Sequence, residues 1–144
     1  MNRKSVAVAL FSLLAIAVLV TIAAAVYLLT GSNDRDSRDP WAKASMLKVT
    51  LEWGRLAPLP KNISNYTIRT EGNSFTRSFY TSFTASKSDI EQWVKASPGL
   101  AETTPTQQPD GSEKYAIKPG GGANLATVTI DENTGKVDIY VEWS

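Results

Sequence analysis

The sequence contains no cysteine and no histidine. Without cysteine it can form no disulfide, zinc–thiolate site or iron–sulfur cluster, and it offers no thiol nucleophile and no acylated lipoprotein cysteine. Without histidine it lacks the commonest general base at neutral pH and the commonest transition-metal ligand, and a serine–histidine triad within one chain is excluded. An excess of one charge is also missing: 15 basic groups stand against 14 acidic ones, interspersed along the chain. No basic stripe is present to neutralise phosphates, so nucleic acid is not an expected partner. No acidic block suggests a cation store. The composition therefore leads us to expect no cofactor, no metal centre and no catalytic residue.

What the chain does contain is one long apolar run. Val6 to Leu29 carries no charge, and its only polar groups are Ser12, Thr21 and the Tyr27 hydroxyl. At ~1.5 Å per residue a helix of this length covers ~36 Å, enough for a hydrocarbon core of ~30 Å. Residues 5–30 are thus expected to be a transmembrane helix embedded in the lipid bilayer, with Tyr27 at the headgroup boundary. A cleaved signal peptide is the rival reading, and Ala23-Ala24-Ala25 would suit its small-x-small site. The run exceeds the usual apolar length of such a signal, and cleavage there would leave Val26-Tyr27-Leu28-Leu29 on the mature end. Arg3 and Lys4 favour a cytoplasmic N-terminus, whereas Arg35, Arg38, Lys43 and Lys48 lie close to the other end. Because the short basic N-terminus looks like an export signal, the expected layout is a cytoplasmic residue 1–4 segment, a single span at 5–30, a tether at 31–45 and an extracytoplasmic domain at 46–144.

A chain of 144 residues leaves room for one folded domain after the span. Leu47, Val49, Leu51 and Trp53 alternate with Lys48, Thr50 and Glu52, which predicts a strand over Met46–Trp53. Asp39-Pro40 is a good helix start, so a helix from Pro40 capped by Gly54 is the competing reading. Pro58 and Pro60 mark a connection. Tyr66, Ile68 and Thr70 read as a strand. After a Gly72-Asn73 turn, Phe75, Arg77, Phe79, Thr81, Phe83 and Ala85 read as one face of a longer strand.

Ser86 and Ser88 offer helix caps, with Asp89 and Glu91 in capping-box positions. A short helix to about Ala96 should bury Ile90, Trp93 and Val94 and stop at Pro98-Gly99. Glu102 to Gly111 reads as a polar loop and Tyr115 to Ile117 as a strand. A break at Pro119 to Gly122 follows. The end is a hairpin: Ala126, Val128 and Ile130, a turn at Asn133-Thr134-Gly135, then Val137, Ile139, Val141 and Trp143. Val49 to Gly54 and Ile139 to Ser144 share a short pattern. The expected fold is a small α+β domain, an antiparallel sheet with one helix on one face. The helix should lie against Phe79, Phe83, Val128 and Ile139.

Leu59-Pro60, Phe79, Phe83-Thr84-Ala85-Ser86, Ile90, Trp93, Ser97-Pro98-Gly99-Leu100 and the later Ile130-Asp131, Thr134-Gly135 and Val137 form a pattern over most of residues 59–143. It resembles small uncharacterised bacterial proteins that are often membrane-anchored. That resemblance implies a bacterial source and no particular activity. The last hairpin alone is similar to the close of PepSY-type domains, which implies a peptidase inhibitor or regulator as an alternative role.

The motifs that suggest chemistry are fragmentary. Ser45-Met46-Leu47-Lys48 matches the S-x-x-K of penicillin-binding proteins and class A β-lactamases, but the companion S-D-N and K-T-G motifs are missing. Asp131 with Glu132, or Asp138 with Glu142, are the carboxylate pairs from which a small envelope hydrolase would be built, although a sugar-sized cleft is hard to make on so short a chain. Lys118 to Gly122 lacks the spacing of a phosphate-binding loop. Asn62-Ile63-Ser64 and Asn65-Tyr66-Thr67 are glycosylation sequons, relevant only in a eukaryotic lumen.

A sheet covered by one helix leaves its other face open, and Tyr80 and Tyr140 with nearby Thr and Ser residues should line it. Tyrosine is favoured at interfaces. The leading expectation is a single-pass, non-enzymatic binding or interaction module of unknown ligand at the cell membrane, with Tyr80 and Tyr140 as the surface for an envelope or membrane protein or for an extended ligand. Ordinary cross-strand pairing is the rival reading of the two tyrosines.

Overall fold

The computed structural model describes residues 40–73 and 75–144. The expected span at 5–30 and the first part of the expected tether lie outside the described residues. Among the described residues no helix is long and apolar enough to cross a membrane.

The first element corrects the sequence reading. Pro40–Trp53 is a helix, α1, not a strand, and it takes in residues 40–45. Its buried positions are Met46 and Thr50, with Ala42, Val49 and Trp53 packed beside them. That spacing is helical. The threonine is tolerated because its hydroxyl donates to the Met46 carbonyl at 2.9 Å. The helix closes by a Schellman arrangement: Leu56 N–H reaches Leu51 O at 2.8 Å and Arg55 N–H reaches Glu52 O at 3.1 Å. Arg55, with φ 52°, takes the left-handed position, one residue beyond the glycine that the competing reading named as the cap.

Strands β1 (Ser64–Gly72) and β2 (Arg77–Thr84) form the first hairpin. Phe75 was expected on β2 but lies in the turn, 81% exposed. There the Asn73 side chain accepts from the N–H groups of Phe75 and Thr76 at 2.8 and 3.2 Å. Helix α2 (Lys87–Ala96) starts where the capping box placed it: Ser86 Oγ accepts from Asp89 N–H at 3.2 Å and donates to the Asp89 carboxylate at 2.7 Å. Pro98-Gly99 does not lead into coil. Pro98 opens a helical turn, α3 (Pro98–Ala101), because proline is preorganised for the first helical position. Gly99 N–H donates to Arg55 O at 2.9 Å, and a Cβ there would stand 2.5 Å from Gly54 O. The contact joins α3 to the end of α1 and needs glycine.

The segment expected to be only a polar loop contains a two-residue strand, β3 (Thr106–Gln107), paired with β4 (Glu113–Ile117). The final hairpin, β5 (Leu125–Asp131) and β6 (Lys136–Trp143), is as expected. The result is an α+β domain with a six-stranded antiparallel sheet in the order β1-β2-β6-β5-β4-β3.

One face of this sheet is covered. Phe83, Val128, Val137, Ile139 and Val141 pack with Ile90 and Trp93 of α2 and Leu100 of α3. The Trp93 ring meets Phe83 edge-on at 5.5 Å. Ile68 and Phe79 pack with Met46 of α1, and Trp53 meets Phe79 edge-on at 5.6 Å. The expected single helix is therefore three helical pieces on one face, because the segment read as a first strand supplies α1.

Candidate functional site

Side chains alternate across a strand, so the residues between the core positions all point to the other face, on which no described helix lies. The register sets them in rows. Arg69, Tyr80, Tyr140, Thr127 and Ala116 are successive cross-strand neighbours across five strands. A parallel row runs Thr67, Ser82, Asp138, Thr129 and Lys114. Tyr80 and Tyr140, the two residues expected to form a surface, are directly opposite each other. Their ring centroids are 4.9 Å apart and the planes are inclined by 46°.

The tyrosines are held in place by their neighbours. The Arg69 guanidinium lies 3.9 Å above the Tyr80 ring, where the ring quadrupole attracts a cation, and Arg69 is also ion-paired with Glu71. The Tyr140 hydroxyl donates to the Glu142 carboxylate and lies 3.3 Å from Ser78 Oγ. That bond to Glu142 raises the phenol's pKa above its ordinary value, because it favours the protonated form. The two rows border a shallow depression of about 270 Å³ whose walls include Arg69, Tyr80, Asp138 and Tyr140. It offers two fixed aromatic rings, a line of hydroxyls, one cation and one carboxylate.

The other sequence fragments do not converge. Ser45 and Lys48 are both exposed on α1. The S-x-x-K pair lies within a helix, whereas the sequence pattern predicts a strand from Met46. Each carboxylate considered for hydrolysis is engaged by its own neighbourhood. Asp131 accepts from Thr134 Oγ1 at 2.7 Å and Asn133 N–H at 2.9 Å. Glu132 pairs with Lys87 at 2.7 Å, Asp138 with Lys136 at 2.8 Å, and Glu142 accepts from Tyr140. The Gly120 to Gly122 loop packs against the end of α1, with Gly120 N–H donating to Trp53 O at 2.8 Å.

A groove on the helix side escaped the sequence reading. Ile90 and Val94 of α2 and Tyr115 and Ile130 of the sheet line a hollow of about 180 Å³, rimmed by Lys87, Glu91, Lys95, Glu113 and Glu132. The Tyr115 hydroxyl donates to Glu113 at 3.0 Å at its edge. The sequence marks Tyr115 only as a strand residue, and nothing in its local pattern shows which helix residues lie across from it.

No protein-family model, no curated protein and no solved structure matches this chain.

Proposed function

We propose that the protein is a single-pass, membrane-anchored interaction module that binds an envelope or membrane protein through the open face of its sheet, with no chemistry of its own. The observation that supports this most is the Tyr80–Tyr140 pair at the centre of a sheet face on which no described helix lies. Tyrosine supplies a large contact area at low conformational cost, and interface hot spots are enriched in it. Around the pair, Ser82, Thr127 and Thr129 can exchange hydrogen bonds with an extended segment, and Arg69 and Asp138 can set its orientation. The apolar run at 5–30 would hold the domain at the bilayer.

The test is cross-linking in native membranes, followed by purification through a C-terminal tag. One envelope or membrane protein is expected in near-stoichiometric yield. Tyr80→Ala with Tyr140→Ala should reduce its recovery by roughly 10-fold or more while circular dichroism stays unchanged. Full recovery from the folded double variant would end the case for this surface.

A further inference from the structure

The sheet ends in two unequal edges. On one side β3 is only two residues long, whereas on the other β1 runs nine residues and, among the described residues, pairs with β2 alone. An edge strand presents unpaired N–H and C=O groups to whatever can add to it. Along β1 only Ile68 is buried and only Thr70 is half-buried. At its start the edge is interrupted, with Asn65 at φ 51° and a register irregularity between Ser64 and Thr67. From Thr67 to Gly72 the pairing is regular and contains no proline.

The two charges on this regular stretch are Arg69 and Glu71, on the same face and ion-paired with each other. Charges commonly protect an edge, but opposite charges two positions apart are self-complementary under a two-fold rotation. We propose that β1 pairs antiparallel with β1 of a second copy about a two-fold axis at Thr70. Arg69 then stands opposite Glu71 of the second copy, and Glu71 opposite its Arg69. Centring the axis on Arg69 or on Glu71 would set like charges face to face, which is destabilising. The arginine need not give up its own Glu71, since guanidinium carries five donors. An axis perpendicular to the sheet joins the two six-stranded sheets and keeps both Tyr80–Tyr140 faces on one side. The pairing does not depend on the binding role of that face.

The chain has no cysteine, so Thr70→Cys is a single reporter. Directly opposed residues of an antiparallel pair have Cβ atoms ~4.5–5.5 Å apart, so two opposed thiols are within reach of a short bis-maleimide cross-linker. With a short bis-maleimide the full-length T70C chain should give a cross-linked dimer, and T106C, on the opposite edge, should not. Adding Arg69→Glu or Glu71→Arg should reduce the dimer about tenfold or more, and the two exchanges together should restore it. Absence of the T70C dimer, or a yield indifferent to the charge exchanges, overturns the proposal. Thr70 Oγ1 donates to Ser78 O at 3.0 Å, so the unaltered full-length chain supplies a second readout. Its mass by detergent-corrected light scattering should be that of two copies, and a folded monomer at micromolar concentration overturns the pairing.

Discussion

The indole nitrogen of Trp93 donates to the carbonyl oxygen of Ala57 at 3.0 Å. The other backbone group of Ala57 is held as well, since its N–H donates to Ser97 Oγ at 3.0 Å. Helix α2 and the residue after it thus pin the start of the proline-bearing connection, and Ser97 is fully buried while doing so. Ser97→Ala should leave the Ala57 N–H without its partner and cost about 1–3 kcal/mol. Trp93→Phe removes the other donor along with some packing against Phe83 and should cost at least as much. Urea denaturation of the two variants checks both, and an unchanged midpoint for Ser97→Ala would show that water replaces the hydroxyl.

Thr81 behaves in the opposite way. It is 2% exposed, sits between Ile68 and Ile139 in the register, and its Oγ1 has no hydrogen-bond partner among the described residues. A buried hydroxyl without a partner costs free energy. Thr81→Val keeps the shape and the β-branch and removes the polar atom, so the domain should gain about 1 kcal/mol. A raised thermal midpoint is the expected result. A lowered one would mean that the hydroxyl makes a contact in solution.

Those residues also show what was readable in the sequence. The last hairpin, the first hairpin and the Ser86-capped helix were legible because each carries a period and a punctuation mark that agree. Asn133-Thr134-Gly135 closes two alternating runs, and Ile90 and Trp93 recur at helical spacing after a cap. Helix α1 was misread because its buried stripe is disguised. Ala42, Met46 and Thr50 face the sheet, and two of these three are not strong hydrophobes, while Leu47, Val49, Leu51 and Trp53 happen to alternate. Val49 to Trp53 and Ile139 to Trp143 share a pattern, yet one is helix and the other strand. Tertiary packing decides between them, as propensity is only a weak prior. That Tyr80 and Tyr140 share one sheet face was legible from alternation alone. The Arg69 partner of Tyr80 was not, because it depends on how β1 registers against β2.

Asp131 organises the turn of the last hairpin. Its carboxylate accepts from the Thr134 hydroxyl and from the Asn133 and Thr134 N–H groups, the hydroxyl having the largest effect, and these bonds hold its pKa below the ordinary carboxylate value of 3.8. A depressed folded-state pKa contributes stability above the unfolded value, lost as pH falls through the folded value. Thr134→Val should therefore raise the Asp131 pKa toward 3.8 and make the turn less sensitive to acid. A carboxyl carbon NMR titration reads the shift directly. An unmoved Asp131 titration in the variant would assign the depression to the backbone donors alone.

Tyr115 gives a signature at the alkaline end. Its ring is buried, with 7% of the residue exposed, and burial together with the bond to Glu113 pushes its phenol from 10.0 up to about 12. Burial is the larger cause, since a phenolate in an apolar groove is poorly solvated. In the unfolded chain the phenol ionises near its ordinary value, whereas in the folded domain it holds its proton more tightly. Its contribution to stability is therefore fully present below pH 10 and is lost as pH rises through about 12. Tyr66 and Tyr140 are also raised, so the assignment needs a difference. Phenolate absorbance of the parent chain minus that of Tyr115→Phe should show a single titration near pH 12. Glu113→Gln should lower it only partly, because the carboxylate is lost and the burial remains. A difference titration at the ordinary value would mean that the groove beside α2 is wet and that the Tyr115 hydroxyl reaches open solvent.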